Sequence, residues 1–346
     1  MKVDKNIIVT DTKPGANWNF AELLSAETNM EWTLLDGGLQ YKLTGVKEKL
    51  KRYVNFVVFP CNLVVNRKKI KNIIAWQQYY GLFYALFSKF FHLKKRNYCM
   101  IMTFIYNQRK GIFGKFQYGL VKALLHSCYI DSVLVHSQYE KVYYEQLFSL
   151  SGKFQSVNLG LEDLTIGIFK QETPPYILSA GRSNRDYDFL FRELGNTEYP
   201  VKIVCDALRE ETRSNIQVYD HVHYEKFFQM LADCYCVVIS LDNPQISSGQ
   251  LVILQAMQFG KPVIVTESLA VRDYIQDGKQ GYIIKKDGEL LRKKIELLYK
   301  DKNLYKNMAV KGRKTYEEQF SMEALSKQVA EQFFRTGGKK YDEKKI

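Results

Sequence analysis

The stretch Ile239-Ser-Leu-Asp-Asn-Pro-Gln-Ile-Ser-Ser-Gly-Gln-Leu-Val-Ile-Leu-Gln-Ala-Met-Gln-Phe-Gly-Lys-Pro-Val-Ile-Val265 indicates the fold class. An apolar strand ends here, a polar loop follows, and a helix is predicted to start near Ser247-Ser248-Gly249, where Ser is a good N-cap. Gly260-Lys-Pro then ends the helix and begins a second buried strand. Strand, helix and strand in this order predict a parallel α/β unit. The free N–H groups and the dipole at the helix start predict an anion site.

The same alternation of short apolar strands with helices extends over both halves of the chain. The first half predicts strands at Ile7–Thr10, Thr33–Leu35, Val54–Phe59, Tyr98–Ile105 and Ser132–Val135. The second half predicts six more strands. The predicted helices include Gln138–Phe148 in the first half and Val271–Gln276 and Gly288–Lys300 in the second. A length of 346 residues exceeds what one core usually supports. We therefore predict two Rossmann-like, doubly wound α/β domains, joined near residues 160–175 and facing a cleft at the carboxyl ends of their strands.

Positive charge is concentrated in one part of the first half. The formal net charge is +13, and the span Lys49–Ile130 holds fifteen Lys and Arg residues and no Asp or Glu. Within this span, the aromatic-rich segment Trp76–Arg96 ends in three consecutive bases. This composition is typical of a segment that rests among lipid headgroups. A buried helix with a solvated basic end fits the same residues equally well, and no finger, helix-turn-helix or RNP signature favours nucleic acid.

Several classes of site and location are disfavoured by the sequence. The six cysteines are scattered without a C-x-x-C pair, which argues against a disulfide framework or a zinc site. The apolar run at Ile7–Thr10 is too short for a signal-peptide core, and there is no stretch of about 18 uncharged apolar residues. We therefore expect a cytoplasmic protein that contacts the inner face of the membrane peripherally if the basic segment binds lipid.

The stretch Ile239–Val265 resembles the donor-binding signature of the family-4 retaining glycosyltransferases of the GT-B fold. That signature has a Glu, seven residues and a second Glu, followed by Ala-Met, a Gly and Pro-Val-Ile. In this chain the frame is Ser247, seven residues and Gln255, followed by Ala256-Met257, Gly260 and Pro262-Val263-Ile264.

Further blocks resemble the same family, in the same order along the chain. They are Ser132–Glu140, Leu178–Asp188, Val271–Tyr282 and Tyr316–Glu323. The resemblance covers about residues 130–335. It implies a first domain over 1–160, a donor domain over 161–318, and a crossover helix and tail over 319–346 in which the helix returns to the first domain.

The resemblance assigns the donor-binding residues. Arg182 and Arg185 match the two bases that hold the donor diphosphate, a task that suits the guanidinium fork. Gln255 matches the Glu that bonds the nucleotide ribose, and its amide can still donate and accept a hydrogen bond there. The donor-binding set that it implies is Arg182, Arg185, Val222, Ser247, Ser248, Gly249, Gln250 and Gln255. Gly15 and Asn17 in the first domain match an acceptor-side loop.

Departures from the family pattern concern the chemistry. Both signature Glu positions are replaced, by Ser247 and Gln255, and the family's strand-end His is missing from Met102–Arg109. The sequence therefore identifies no catalytic side chain. Asp242 lies near the site but is expected to be an ordinary loop carboxylate. The resemblance implies no Asp-x-Asp metal site of the kind that other sugar-transfer folds use, so neither a metal nor another cofactor is expected.

The resemblance implies a glycosyltransferase that moves a sugar from a nucleotide-sugar, expected to be a UDP-sugar, to a glycan or lipid-linked acceptor. Cell-surface polysaccharide assembly, as in capsule or exopolysaccharide, is the expected setting. The replaced Glu pair keeps open an inactive glycosyltransferase-like partner subunit, and the two-domain fold keeps open a nucleotide-sugar epimerase. Nucleic acid is not an expected partner, whereas an anionic membrane surface that contacts Lys49–Ile130 is.

Overall fold

The computed structural model describes residues 5–15, 18–39, 46–168, 171, 174–208 and 213–338, with only the backbone described for 46–49. The chain divides into two compact units. Unit 1 comprises residues 1–158 and 325–346, and unit 2 comprises residues 159–324. No helix in the described ranges is both long and apolar enough to cross a membrane.

Unit 1 is built on a parallel sheet. Its described strands are β1 (Lys5–Thr12), β2 (Trp32–Leu39), β3 (Ile70–Gln77), β4 (Tyr98–Thr103), β5 (Ser132–Val135) and β6 (Phe154–Ser156). They lie in the order β2-β1-β3-β4-β5-β6. The helices between them are α1 (Phe20–Thr28), α2 (Val46–Val65), α3 (Gln78–Phe90), α4 (Gly111–Leu125) and α5 (Gln138–Phe148). The central strands contain buried apolar runs, such as Ile7–Val9 in β1 and Ile73–Ala75 in β3, because helices cover both faces of such a sheet.

Unit 2 repeats this architecture with shorter strands. They are β7 (Ile177–Ala180), β8 (Val201–Val204), β9 (Ile216–Tyr219), β10 (Cys236–Ile239), β11 (Val263–Thr266) and β12 (Gly281–Ile284), in the order β12-β11-β10-β7-β8-β9. The helices are α6 (Tyr187–Leu194), α7 (Tyr224–Asp233), α8 (Gln250–Gln258), α9 (Gly288–Lys300) and α10 (Lys302–Thr315). The strand order reverses between β7 and β10, so the loops after these strands diverge and leave a crevice.

The last helix returns to unit 1, as the sequence predicts. A π-helical turn at Tyr316–Phe320 precedes α11 (Met322–Arg335). The ring of Phe333 packs edge-on against Trp32, with centroids 5.4 Å apart, and against Tyr98, with centroids 4.9 Å apart. Aromatic contacts of this kind bury a large apolar area and fix the helix on the sheet.

Two sequence-based element predictions are wrong. The Val-rich run Val54–Phe59 is helical and lies inside α2. Its buried residues Phe56, Leu63 and Val64 recur at helical spacing, and this packing overrides the β-propensity of the neighbouring valines. The segment Val271–Gln276 forms only a 3-10 turn at Val271–Asp273 rather than a helix. Strand β3 was not predicted.

Candidate functional site

A tight turn at the carboxyl end of β7 carries Arg185. The strand ends at Ala180, and Gly181 follows with φ of +113°, a conformation that favours glycine. The Arg185 side chain folds back over the turn: Nε donates to the Ala180 carbonyl at 3.0 Å and Nη1 to the Ser183 carbonyl at 2.9 Å. A Cβ on residue 181 would lie 2.6 Å from Arg185 Nη2. Burial lowers the pKa of the guanidinium, which nevertheless stays charged because arginine is always protonated in proteins.

Asn184 joins this turn to the loop after β10. Its backbone is left-handed, with φ of 55°, a conformation in which Asn is enriched. Its Nδ2 donates to the Asn243 carbonyl at 2.9 Å and to Ser248 Oγ at 3.1 Å, and its Oδ1 accepts from the Asn243 N–H at 2.8 Å. One amide therefore connects the turn that carries Arg185 to the loop that leads into α8. The sequence analysis missed this residue.

Helix α8 begins beside the Arg185 guanidinium. Gly249 is the N-cap residue, with φ of +90° and no side-chain hydrogen bond to the helix. A Cβ on this glycine would lie 3.9 Å from Arg185 Nη1 and 3.5 Å from Ile239 Cγ2. The first N–H groups of a helix have no intrahelical partner. A fixed cation and a helix amino terminus thus converge at the β7–β10 crevice, which is the arrangement that binds a phosphate group.

The two serines before Gly249 shape the loop but do not cap α8. Ser247 Oγ accepts a hydrogen bond from the Gln250 side-chain amide, and Ser248 Oγ accepts one from Asn184. The expected Ser N-cap is therefore wrong. The glycine can serve as N-cap because it tolerates the left-handed conformation that brings the loop close to Ile239.

Arg182 lies at the same end of β7 but is far more exposed than Arg185. Its Nη1 is 3.7 Å from Asp206 Oδ2, and the two side chains are 72% and 46% exposed. An exposed ion pair at this distance contributes little to stability. The Arg182 guanidinium can therefore exchange Asp206 for a stronger anion at little cost.

The sequence that forms this site matches a family model described as "Glycosyl transferases group 1" over residues 168–315. The matched range includes both arginines, Asn184 and all of α8. Residues 168–315 belong to the group 1 glycosyltransferases. Members of this group use nucleotide-sugar donors, so the donor of this glycosyltransferase is a nucleotide-sugar.

Solved structures share the fold of this glycosyltransferase at low sequence identity. Anabaena Alr3699/HepE in complex with UDP has a TM-score of 0.66 and 14% identity, over 96% of this chain and 100% of that chain. Sucrose-phosphate synthase from Thermosynechococcus elongatus has a TM-score of 0.69 and 14% identity, over 96% and 99%. WaaG, a glycosyltransferase involved in lipopolysaccharide biosynthesis, has a TM-score of 0.58 and 13% identity, over 96% and 100%. These likenesses confirm the predicted fold class of two Rossmann-like domains. No curated protein shows a significant sequence match.

The remaining donor-side residues of this glycosyltransferase occupy separate places in unit 2. Gln255 lies in the second turn of α8, is only 4% exposed, and makes no side-chain hydrogen bond within the described ranges. Val222 follows β9 and packs, half-buried, against the core beneath α8. Its neighbour His221 is exposed and left-handed, with φ of 42°, and so is part of a sharp loop.

The predicted acceptor-side loop follows β1 in unit 1. The Gly15 carbonyl accepts a hydrogen bond from the Trp18 N–H at 3.1 Å, whereas Asn17 lies outside the described residues. The Trp18 ring packs edge-on against Trp76 at the end of β3, with centroids 5.5 Å apart. The loop of this glycosyltransferase therefore rests on an aromatic pair.

His136 lies at the end of a strand in unit 1 and was not selected by the sequence analysis. His136 follows β5, and its Nε2 is 3.3 Å from Oγ1 of Thr103, the last residue of β4. Burial lowers the pKa of His136 to about 4, so the ring is neutral at pH 7. The family's strand-end His is missing from Met102–Arg109, but an imidazole from the neighbouring strand lies beside this segment.

The carboxylates of this glycosyltransferase are dispersed. Over the parts of the chain that the structure describes, no group of three or more His, Cys, Asp or Glu side chains is placed to hold a metal ion. Asp242 follows β10, and its carboxylate is 72% exposed and 3.9 Å from Lys286 Nζ. It is an ordinary loop carboxylate by these contacts.

Proposed function

We propose that this glycosyltransferase binds a UDP-sugar in unit 2, transfers the sugar to a glycan or lipid-linked acceptor with retention of configuration, and acts in cell-surface polysaccharide biosynthesis. The observation that carries the donor part is the approach of Arg185 Nη1 to the start of α8. A diphosphate placed there meets a cation and free backbone N–H groups together. The solved Anabaena protein in complex with UDP supports the choice of nucleotide.

The chemistry of sugar transfer gives these groups a catalytic role. As the glycosidic bond to the diphosphate breaks, negative charge grows on the leaving phosphate, and positive charge develops on the sugar ring. Fixed donors aimed at that phosphate stabilise the transition state more than the ground state. Arg182, Arg185 and the backbone N–H groups from Ser248 to Gln250 are the groups that we assign to this task. Gln255 is assigned to the ribose and Val222 to the base.

The donor assignment is tested by Arg182→Ala, with Arg192→Ala as the matched control. Arg182 is 72% exposed and Arg192 on α6 is 65% exposed, so neither change should unfold the protein. Loss of a charge-assisted contact to diphosphate should weaken UDP binding by about tenfold or more in the first variant only. Calorimetric titration with UDP measures this. Equal UDP affinity in Arg182→Ala and the wild type would contradict the assignment.

One observation favours the alternative of an inactive partner subunit: both signature Glu positions carry uncharged residues, Ser247 and Gln255. Binding and turnover separate the two functions. An active transferase binds a UDP-sugar and slowly hydrolyses it, whereas an adaptor need do neither. A thermal-shift and hydrolysis screen against UDP-, GDP- and dTDP-sugars therefore distinguishes them and identifies the nucleotide, because a ligand of the folded state raises its stability.

The membrane part of the proposal rests on exposed apolar residues in unit 1. The start of α4 presents Ile112, Phe113 and Phe116, which are 85%, 89% and 70% exposed, next to the exposed bases Lys110 and Lys115. Apolar side chains flanked by bases are typical of surfaces that enter an anionic headgroup layer.

The aromatic segment Trp76–Arg96 contributes less to this surface than its composition suggests. One face of α3 is buried, including Tyr80 and Tyr84, and Lys95 pairs with Asp131. The most exposed large apolar side chains of this segment are at the end of the helix, where Phe90 is 71% exposed and the following Phe91 is 59% exposed. We therefore assign the membrane contact chiefly to α4.

Liposome flotation tests this contact. The double variant Ile112→Ser/Phe113→Ser should lose binding to anionic vesicles, whereas Val310→Ser on α10, an exposed apolar residue of unit 2, should not. Binding by the wild type should fall as salt rises, because the charge component is screened. Equal flotation of the double variant and the wild type would contradict the proposal.

A further inference from the structure

A cavity of about 680 Å³ lies in unit 2 at the carboxyl ends of β10, β11 and β12. It is formed by the loop after β10, the segment after β11, and the residues that follow β12. None of the residues assigned to the donor lines it. The cavity is therefore not accounted for by the diphosphate site at the β7–β10 crevice.

The wall of the cavity is partly apolar. Leu241 is buried, whereas Leu269 and Pro244 are exposed and line the cavity. The Leu269 N–H donates to the Pro244 carbonyl at 3.0 Å, and the Leu241 N–H donates to Thr266 Oγ1 at 2.7 Å. The two loops are thus hydrogen-bonded to each other and to the sheet, and the cavity is built into the fold. Apolar patches of this size suit the C–H faces of a sugar ring.

Among the described residues at the rim of the cavity, one cation has no ion pair. Lys286 Nζ is 2.7 Å from Asp186 Oδ2, and Arg272 Nη2 is 2.6 Å from Glu267 Oε1. Lys285 is exposed, lines the cavity, and has no ion pair within the described residues. Among the described residues, the rim thus presents one ammonium group without an ion pair. It lies next to two cations that are held by carboxylates, and the exposed Asp242 carboxylate is 3.9 Å from Lys286 Nζ.

A buried hydroxyl points to a missing hydrogen-bond partner. Ser268 lines the cavity and is 2% exposed, and its Oγ is buried without a hydrogen bond among the described residues. A buried polar atom without a partner is costly, and such atoms are uncommon in native structures. A hydroxyl-bearing ligand in the cavity would satisfy it once the Ser268 side chain rotates toward the cavity.

We propose that this cavity is a second sugar site, which binds a hexose that carries an anionic group, either a phosphate or a carboxylate. The ring packs on Pro244 and Leu269, a ring hydroxyl exchanges a hydrogen bond with Ser268, and the anion pairs with Lys285. The site goes beyond donor binding and does not depend on it. A charged sugar of an acceptor or of a finished glycan is the chemical class that fits.

Calorimetric titration of the full chain tests the site with glucose 6-phosphate, glucuronate, neutral glucose and inorganic phosphate. The first two should bind more tightly than the last two, and the tighter of the pair identifies the anionic group. Lys285→Ala should weaken that binding by about tenfold. Lys279→Ala, which removes an exposed lysine outside the cavity, should leave it unchanged. Ser268→Ala should weaken binding a few-fold, and its thermal unfolding shows that the fold is retained.

The donor site serves as an internal reference. UDP binding should be the same in Lys285→Ala as in the wild type, and saturating UDP should not displace the anionic hexose. Three results would overturn the proposal: no binding of either anionic hexose at about 10 mM, an affinity unchanged by Lys285→Ala, or competition by UDP. Inorganic phosphate that binds as tightly as glucose 6-phosphate would overturn the sugar part. Because UDP binding is measured separately, failure here and failure of the donor assignment give different results.

Discussion

Asn184→Gly tests whether one amide holds the phosphate site together. The wild-type side chain makes three hydrogen bonds, at 2.8, 2.9 and 3.1 Å, to the loop that leads into α8. At a net value of about 1 kcal/mol each, their loss should lower the free energy of unfolding by about 2–3 kcal/mol. Glycine keeps the left-handed backbone, so the variant removes the bonds without adding strain. Since the turn then holds Arg185 less firmly beside Gly249, UDP affinity should fall about tenfold.

Asn196→Gly is the matched control. Asn196 is also left-handed, with φ of 62°, but its side chain makes no hydrogen bond among the described residues. Urea unfolding and calorimetric titration with UDP should therefore show little change in this variant. If Asn184→Gly retained both the stability and the UDP affinity of the wild type, the reasoning that the turn is positioned through this amide would be refuted.

Three further variants examine single features of the structure. Gly249→Ala places a Cβ on a backbone with φ of +90°, which should cost about 1–2 kcal/mol of unfolding free energy and weaken UDP binding in a titration. The His136 pKa of about 4 lies below its unfolded value, so the unfolded state binds the extra proton and stability falls as pH drops from about 6.5 to 4. His136→Gln should remove about 2 kcal/mol of this pH dependence in urea unfolding compared between pH 7 and 5. Gln255→Glu buries a carboxyl group, and burial raises its pKa because the charged form is disfavoured. The variant should therefore lose more unfolding free energy, relative to the wild type, at pH 8 than at pH 5.

The sequence predicted the parts of the fold that local pattern controls. Strand β5 and helices α5 and α9 have the predicted bounds, because their apolar periodicity and capping residues agree. Ser137 and Asp287 cap these two helices with side-chain hydrogen bonds. In α2 the spacing of the buried residues and the β-propensity of valine point to different structures. Adjacent valines favour a strand, whereas the buried residues Phe56, Leu63 and Val64 follow a helical period. Packing against the sheet decides such cases, and it is not visible in a local window.

The site could be predicted only where the chain follows a family pattern. Motif spacing led to Arg182, Arg185 and the start of α8. It did not lead to Asn184, although this residue lies two positions after Arg182 and directly before Arg185. Its role depends on partners about sixty residues away, Asn243 and Ser248, which no local pattern identifies. His136 was missed for a similar reason, because only the pairing of β4 with β5 brings it to Thr103.

The two departures from the Glu signature have a common physical consequence. Gln255 is almost fully buried, and Ser247 is bonded to Gln250 next to the phosphate site, so a carboxylate at either place would add negative charge near a diphosphate. With both replaced, we expect Arg182, Arg185 and the backbone N–H groups at the start of α8 to be the main diphosphate contacts. Such groups recognise phosphate and do not distinguish one sugar from another. We therefore expect donor affinity to depend mainly on the nucleotide diphosphate, with sugar selection coming from other contacts. If the diphosphate contacts dominate, calorimetric titration should give comparable affinities for UDP and for several intact UDP-sugars. A strong preference for one UDP-sugar would contradict this reasoning.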